Sequence, residues 1–129
     1  MKQEQTKILL SIKPEYAELI FTGKKKFEFR RTIFKNRNVK TVVVYASSPI
    51  QKVIGEFQID SILQSDLDNL WKTTKKYAGI EKDLFFEYFS NKEDGFAIKI
   101  ARTRKYRKPL CLKEDFNLLP PQSFLYLYR

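Results

Sequence analysis

Nine consecutive residues, Gly23-Lys24-Lys25-Lys26-Phe27-Glu28-Phe29-Arg30-Arg31, hold the densest chemistry of this chain. A turn glycine leads into three lysines, one carboxylate and two arginines, with Phe27 and Phe29 alternating between the charges. Such alternation marks a strand with one apolar face and one charged face. Lys26, Glu28 and Arg30 then share the open side, while Phe27 and Phe29 point into a core. A row of mixed charge beside a turn of cations does little for a sheet and suits the holding of an anion. The strip also reads as an edge strand kept soluble by charge.

Bulk composition limits what chemistry is open to these residues. A chain of 129 residues is expected to form one domain, spanning 1–129, with one hydrophobic core. A hydrophobic fraction of 43%, with eleven Phe, seven Tyr and one Trp, argues for a packed globule over disorder. No stretch is long enough to span a bilayer, and Met1 to Gln5 is too polar for a secretory signal. The expected location is cytoplasmic. The single cysteine, Cys111, excludes an internal disulfide and a zinc site built from several thiolates. Histidine is absent, which removes nucleophile–histidine catalysis and histidine-ligated metals. An enzyme made from this chain would divide its acid–base work among Lys, Glu, Asp, Tyr and Cys. No metal and no cofactor is expected.

The net charge of +10 is unevenly placed. Residues 1–40 carry eleven Lys/Arg against four Asp/Glu, residues 41–100 seven against nine, and residues 101–129 seven against two. Should the fold bring the two basic ends together, one face becomes strongly positive and reads as a polyanion site. An anionic membrane surface is the other reading, and no amphipathic basic helix supports it. Nucleic acid is therefore the expected partner, with no membrane.

The elements that must position the strip follow from periodicity. Ile8 to Ile12 suits a first strand. Pro14 opens a helix with Glu15 and Glu18 complementing its dipole and Tyr16, Leu19 and Ile20 as its apolar stripe. Gly23 ends it as a left-handed cap. Val42 to Ala46 is apolar without alternation, as in a strand covered on both faces, and Ser47-Ser48-Pro49 is a turn. In the next strand Val53, Gly55, Phe57 and Ile59 share a face, and Gly55 marks a bend or close backbone approach. Ser65 is the expected N-cap of a helix carrying Leu67, Leu70, Trp71 and Thr74. A second helix follows Gly79 and runs to about Phe89. After a turn at Asn91 to Gly95, a long strand through Phe96, Ile98 and Ile100 becomes basic and stops at Pro109. Phe124 to Tyr128 is the final strand. About six strands in mixed order with three short helices suggest a small barrel or closed sheet.

Leu10-Ser11-Ile12-Lys13-Pro14, a helix, and then Gly23-x-Lys25-x-x-Glu28-x-Arg30 resemble the opening of ASCH domains, in the PUA-like superfamily. G-x-K-x-x-E-x-R is that family's signature, and its four fixed positions are all present. Val53-Ile54-Gly55-Glu56-Phe57 resembles the family's following strand. Pro121-Gln122-Ser123-Phe124-x-Tyr126 resembles the close of a stand-alone bacterial branch. The resemblance covers most of the chain and is weakest over the middle helices. It implies an α+β fold, a PUA-like pseudobarrel of about six strands with three short helices packed around it and a cleft between. It also implies an RNA-related role, with RNA or a modified nucleoside as partner. Some small bacterial members are amidohydrolases that deacetylate N4-acetylcytidine with a motif lysine and a threonine where Glu28 stands here, and others are ribonucleases.

Lys13, Lys25 and Arg30 are the candidate phosphate contacts, arginine offering a planar fork and lysine a point charge. Glu28 either pairs with Arg30 or Lys26, or accepts from a base amino group such as cytosine N4. Tyr45, Ser47, Gln122, Ser123, Phe124 and Tyr126 form a second group, expected near the motif strand, where an aromatic could stack a splayed base. Each of these aromatics reads more readily as core than as a stacking platform. Lys24, Lys26 and Arg31, with Arg102, Arg104, Lys105, Arg107 and Lys108, form a secondary basic patch for backbone affinity. Trp71 reads as packing and Cys111 as a small residue without redox role.

The leading expectation is an RNA-binding module, acting as a monomer because no heptad or exposed hydrophobic helix argues otherwise. In the amidohydrolase alternative, Glu28 is general base on a water and Lys25 stabilises the oxyanion. In the ribonuclease alternative, lysine and glutamate divide the acid–base work.

Overall fold

The computed structural model describes residues 6–128; Met1 to Gln5 lie outside them. Thr6–Ile12 forms β1, and Pro14 starts α1 (Pro14–Phe21), where a helix has no N–H to lose. The helix stops at Gly23, whose φ of 81° is a left-handed backbone open to glycine. The chain turns back there, with Gly23 N–H bonding the Ile20 carbonyl and Lys24 and Lys25 N–H bonding that of Leu19. Then come β2 (Phe27–Arg30), β3 (Thr41–Ala46) and β4 (Lys52–Asp66). Next are α2 (Leu67–Thr74), a 3-10 turn (Lys75–Tyr77) and α3 (Lys82–Tyr88). β5 (Asp94–Leu110), α4 (Leu112–Phe116) and β6 (Phe124–Tyr128) complete the order.

The strands pair in the order β2-β5-β4-β3-β1-β6, with β1 and β3 parallel and the other pairs antiparallel. The outer strands β2 and β6 share no ladder among the described residues, yet they meet. Arg30, at the end of β2, donates to the Ser123 hydroxyl at 2.9 Å and to its carbonyl at 3.3 Å. The Tyr126 hydroxyl of β6 accepts the backbone N–H groups of Lys35 and Asn36 at 3.1 and 3.0 Å. The sheet is curled and latched by side chains, not closed by main-chain pairing, which is the form the expected pseudobarrel takes.

Inside the curl, Ile8, Leu10, Val42, Val44, Phe57 and Ile98 pack on Ala17 and Ile20 of α1. A second cluster joins Phe27 and Phe29 of β2 to Leu70, Phe85 and Phe89 of α2 and α3. A third sets Leu9, Val43, Tyr45, Val53 and Leu127 beneath Leu112 of α4. All six residues of β3 are buried, as its unbroken apolar run requires. Gly55 is a close approach, since a Cβ there would lie 2.6 Å from the Phe21 ring and 2.7 Å from the Arg104 carbonyl. No helix among the described residues is long and apolar enough to cross a membrane.

Three readings change. Among the described residues there are four α-helices, because the five-residue α4, closed by Asn117 at φ 55°, is too short to show a helical period. Asp66, not Ser65, caps α2, accepting the Asn69 N–H at 3.0 Å; Ser65 stays in β4, whose ladder with β5 runs to the pair Asp66–Asp94. Pro109 does not stop β5, which continues to Leu110. The register jumps there, Gly55 facing Lys105 and Val53 facing Leu110, so proline falls where the ladder is irregular and needs no donor.

Phe85 is fully buried, with ring centroids of Phe29, Trp71, Phe86 and Phe89 at 5.0, 5.1, 5.0 and 4.9 Å. Phe85→Ala is expected to cost about 3–5 kcal/mol in urea denaturation, whereas a loss below about 1 kcal/mol would contradict this packing.

Candidate functional site

A cavity of about 490 Å³ opens between the start of α1, β2, α3 and the segment leading into β6. Its deepest cation is Lys25, delivered by the turn at Gly23 and only 3% exposed. The Lys25 ammonium donates to the Ala78 carbonyl at 2.5 Å and lies 5.2 and 4.8 Å from the ring centroids of Tyr16 and Phe29. Its stem runs along Gly79, which has φ 65° and where a Cβ would fall 2.5 Å from Lys25 Cβ. A side chain at position 79 and a lysine stem in this slot exclude each other. Burial pushes the Lys25 ammonium down to about 8, against the upward pull of the Glu28 carboxylate.

Glu28 is the second buried charge, 7% exposed on the face of β2 that alternation assigned to solvent. That face turns into the curl, where Glu28 sits opposite Ile98 of the first cluster, and Tyr16, Ile80, Leu84, Glu87 and Tyr88 line the cavity with it. α3 packs on the other face, against Phe29, and is pinned there: Arg31 donates to the Tyr88 and Ser90 carbonyls at 2.8 Å, and the Tyr88 hydroxyl donates to the Phe29 carbonyl at 3.1 Å. Burial pushes the Glu28 carboxyl above its ordinary range, while Arg30, Lys25 and the hydrogen bond from Arg30 pull it back. Arg30 Nη1 stands 3.3 Å from Glu28 Oε2. Its other nitrogen holds Ser123, and Ser11 Oγ donates to the Pro121 carbonyl at 2.8 Å. Clamped on both sides, the segment sets Gln122 on the cavity wall.

Residues 10–109 match the ASCH domain. The chain belongs to the ASCH family. The ASCH domain-containing ribonuclease of Zymomonas mobilis is 30% identical over 128 residues, which cover 96% of this chain and 86% of that protein. The crystal structure of ASCH from Zymomonas mobilis superposes with a TM-score of 0.86 at 32% identity, covering 94% of this chain and 87% of that one. Large ribosomal subunit protein uL22 of Ureaplasma parvum is 32% identical over 129 residues, and the chain spans 41% of that protein's length.

The ASCH motif residues Lys25, Glu28 and Arg30 thus share one cavity, with Lys13 and Gln122 at its edge. Ser123 reaches it through Arg30. The remaining sequence candidates lie elsewhere. Tyr45 is 4% exposed inside the third cluster, and the Ser47 N–H bonds the Ile12 carbonyl at 3.0 Å. Phe124 and Tyr126 pack on the first cluster. Arg102, Arg104, Lys105, Arg107 and Lys108 stand exposed along β5, with Lys105 3.8 Å from Glu18. Lys24 and Lys26 are exposed beside the cavity wall. Tyr16, Leu84, Glu87 and Tyr88 were missed. Tyr16 had a usable signal, one helical turn after Lys13 on the same face; the α3 residues had none, because α3 is placed by contacts with distant residues, among them Arg31, Phe29 and Trp71.

An ammonium whose folded pKa lies below its unfolded one leaves the unfolded state more protonated between the two values, so stability rises with pH in that window. For Lys25 the window runs from about 8 to 10.5. Across it, wild type should gain stability relative to Lys25→Met by an amount on the order of 3 kcal/mol, read from denaturation at each pH. A constant difference would mean that Lys25 is solvated.

Proposed function

We propose that this ASCH protein cleaves single-stranded RNA in the cavity, with Glu28 as general base and Lys25 as general acid. The observation that carries the reading is one carboxylate and one ammonium buried in the same cavity, their pKa values moved toward neutrality from opposite sides. Paired groups of that kind divide acid and base roles near neutral pH. The ribonuclease name of the Zymomonas relative supports the same reading. Binding stood first on the sequence alone; the burial of Glu28 beside Lys25 moves the weight to catalysis.

The chemistry is a transesterification. Glu28, held ionised by Arg30, takes the proton of a ribose 2′-hydroxyl, and the 2′-oxygen attacks the neighbouring phosphorus. The bond from phosphorus to the 5′-oxygen breaks, and the Lys25 ammonium gives that oxygen its proton. The products are a 2′,3′-cyclic phosphate and a 5′-hydroxyl, and solvent then takes the proton from Glu28 and returns one to Lys25. Arg30 and Lys13 face the charge that builds on the non-bridging oxygens. Ammonium has three donors, of which Ala78 takes one, so a proton remains for transfer. No histidine is needed, and the protein acts as a monomer.

The test is cleavage of a labelled single-stranded RNA from pH 5 to 10 by wild type, Lys25→Met and Glu28→Gln. A bell-shaped rate is expected, its alkaline limb near 8 as Lys25 loses its proton. Each variant should lower the plateau by about 10²–10⁴-fold. Binding without cleavage at any pH would leave an RNA-binding module. Release of acetate from N4-acetylcytidine, lost in Lys25→Met, would make the protein an amidohydrolase.

A further inference from the structure

Two lysine runs far apart in sequence, Gly23-Lys24-Lys25-Lys26 and Thr74-Lys75-Lys76-Tyr77, meet edge to edge. One main-chain bond joins them, from Lys26 N–H to the Tyr77 carbonyl at 2.9 Å. At the junction the Tyr77 ring is 38% exposed, with the Lys26 and Lys76 ammonium groups 4.4 and 5.5 Å from its centroid. Lys24, Lys26, Lys75 and Lys76 are exposed, and none takes part in the three ion pairs among the described residues. An ordinary solvated face does not draw cations from two separate segments to one ring.

The patch is also continuous with the cavity. Tyr77 begins the wall that passes through Ala78, which holds the Lys25 ammonium, to Ile80, which lines the cavity. Three residues of chain reach at most about 11 Å, so the exposed ring lies one wall away from the buried pair.

We propose that Lys24, Lys26, Lys76 and Tyr77 form a second RNA subsite, which takes the nucleotides flanking the one in the cavity. A base stacks on Tyr77, and the ammonium groups that rest on the ring in the free protein turn to the adjoining phosphates. Stacking of this kind tolerates any base, and lysines track the backbone without reading sequence. The inference rests on the RNA reading of the cavity and narrows its substrate. The ligand is a single strand several nucleotides long, because a mononucleotide leaves the patch empty and a duplex offers no unstacked base.

The experiment measures affinity for a 12-mer single-stranded RNA and for a dinucleotide over a salt series, in wild type, Lys26→Glu/Lys76→Glu, Tyr77→Ala and Lys25→Met. Wild type should prefer the 12-mer. The double variant should lose about tenfold or more of that preference, with a salt slope shallower by about 1.4, or 0.7 for each of two phosphates. Tyr77→Ala should lose about fivefold or more and keep the slope. Full preference in a double variant that melts like wild type would overturn the subsite; the cavity reading then still stands if Lys25→Met abolishes cleavage. Patch-dependent 12-mer binding by a protein that neither cleaves RNA nor holds the dinucleotide would sink the cavity reading and keep the subsite. Loss of binding to phosphatidylserine vesicles without loss of RNA affinity would assign the patch to a lipid surface and overturn the proposal.

Discussion

An ammonium group taken out of water is tolerated when its protons and its charge find partners, and isolated burial of such an ion costs several kcal/mol. Lys25 meets that demand with the Ala78 carbonyl, two aromatic faces and a nearby carboxylate. Much of the structure follows from it. The carbonyl is within reach because Gly79 has no side chain to hold the wall away. Tyr16 is within reach because Pro14 starts α1 directly after β1. Phe29 faces the Lys25 ammonium and also packs on Phe85 and Phe89, so the aromatic core of the helices supports the charge as well as the sheet.

Arg30 resolves a second problem of the same kind. A buried Glu28 needs a counterion, and the outer strands of an open pairing order need a joint. One guanidinium serves both, because its planar fork presents separate nitrogens to the Glu28 carboxylate and to Ser123. Lysine could not reproduce this, having no rigid fork to divide. One side chain thus links the electrostatics of the cavity to the joint between the outer strands.

What could be read in advance tracks how local each determinant is. Phe27 and Phe29 announced their core face, Gly23 announced the end of α1, and the run from Val42 to Ala46 announced a strand covered on both sides, because each signal lies within a few residues of its effect. The burial of Glu28 was hidden. The residues that enclose it come from α1, β5 and the segment before β6, brought round it by a curl of the sheet that no period contains. Ser123 bonds Arg30 of β2, and Tyr126 bonds the loop after that strand. The hydroxyl of Tyr126, however, ties down a loop. A phenol serves equally well for stacking or for bonding backbone, and sequence does not separate the two.

The latch from Arg30 to Ser123 also sets an order of events. Arg30 and Ser123 are 93 residues apart in sequence, and β6, which follows Ser123, pairs with β1. Contacts of such sequence separation form slowly, since the loop between them must first be closed. Until that segment docks, the guanidinium has no clamp and the cavity lacks the wall that carries Gln122. The cavity is thus completed by contacts between distant parts of the sequence, and its last wall forms late in folding.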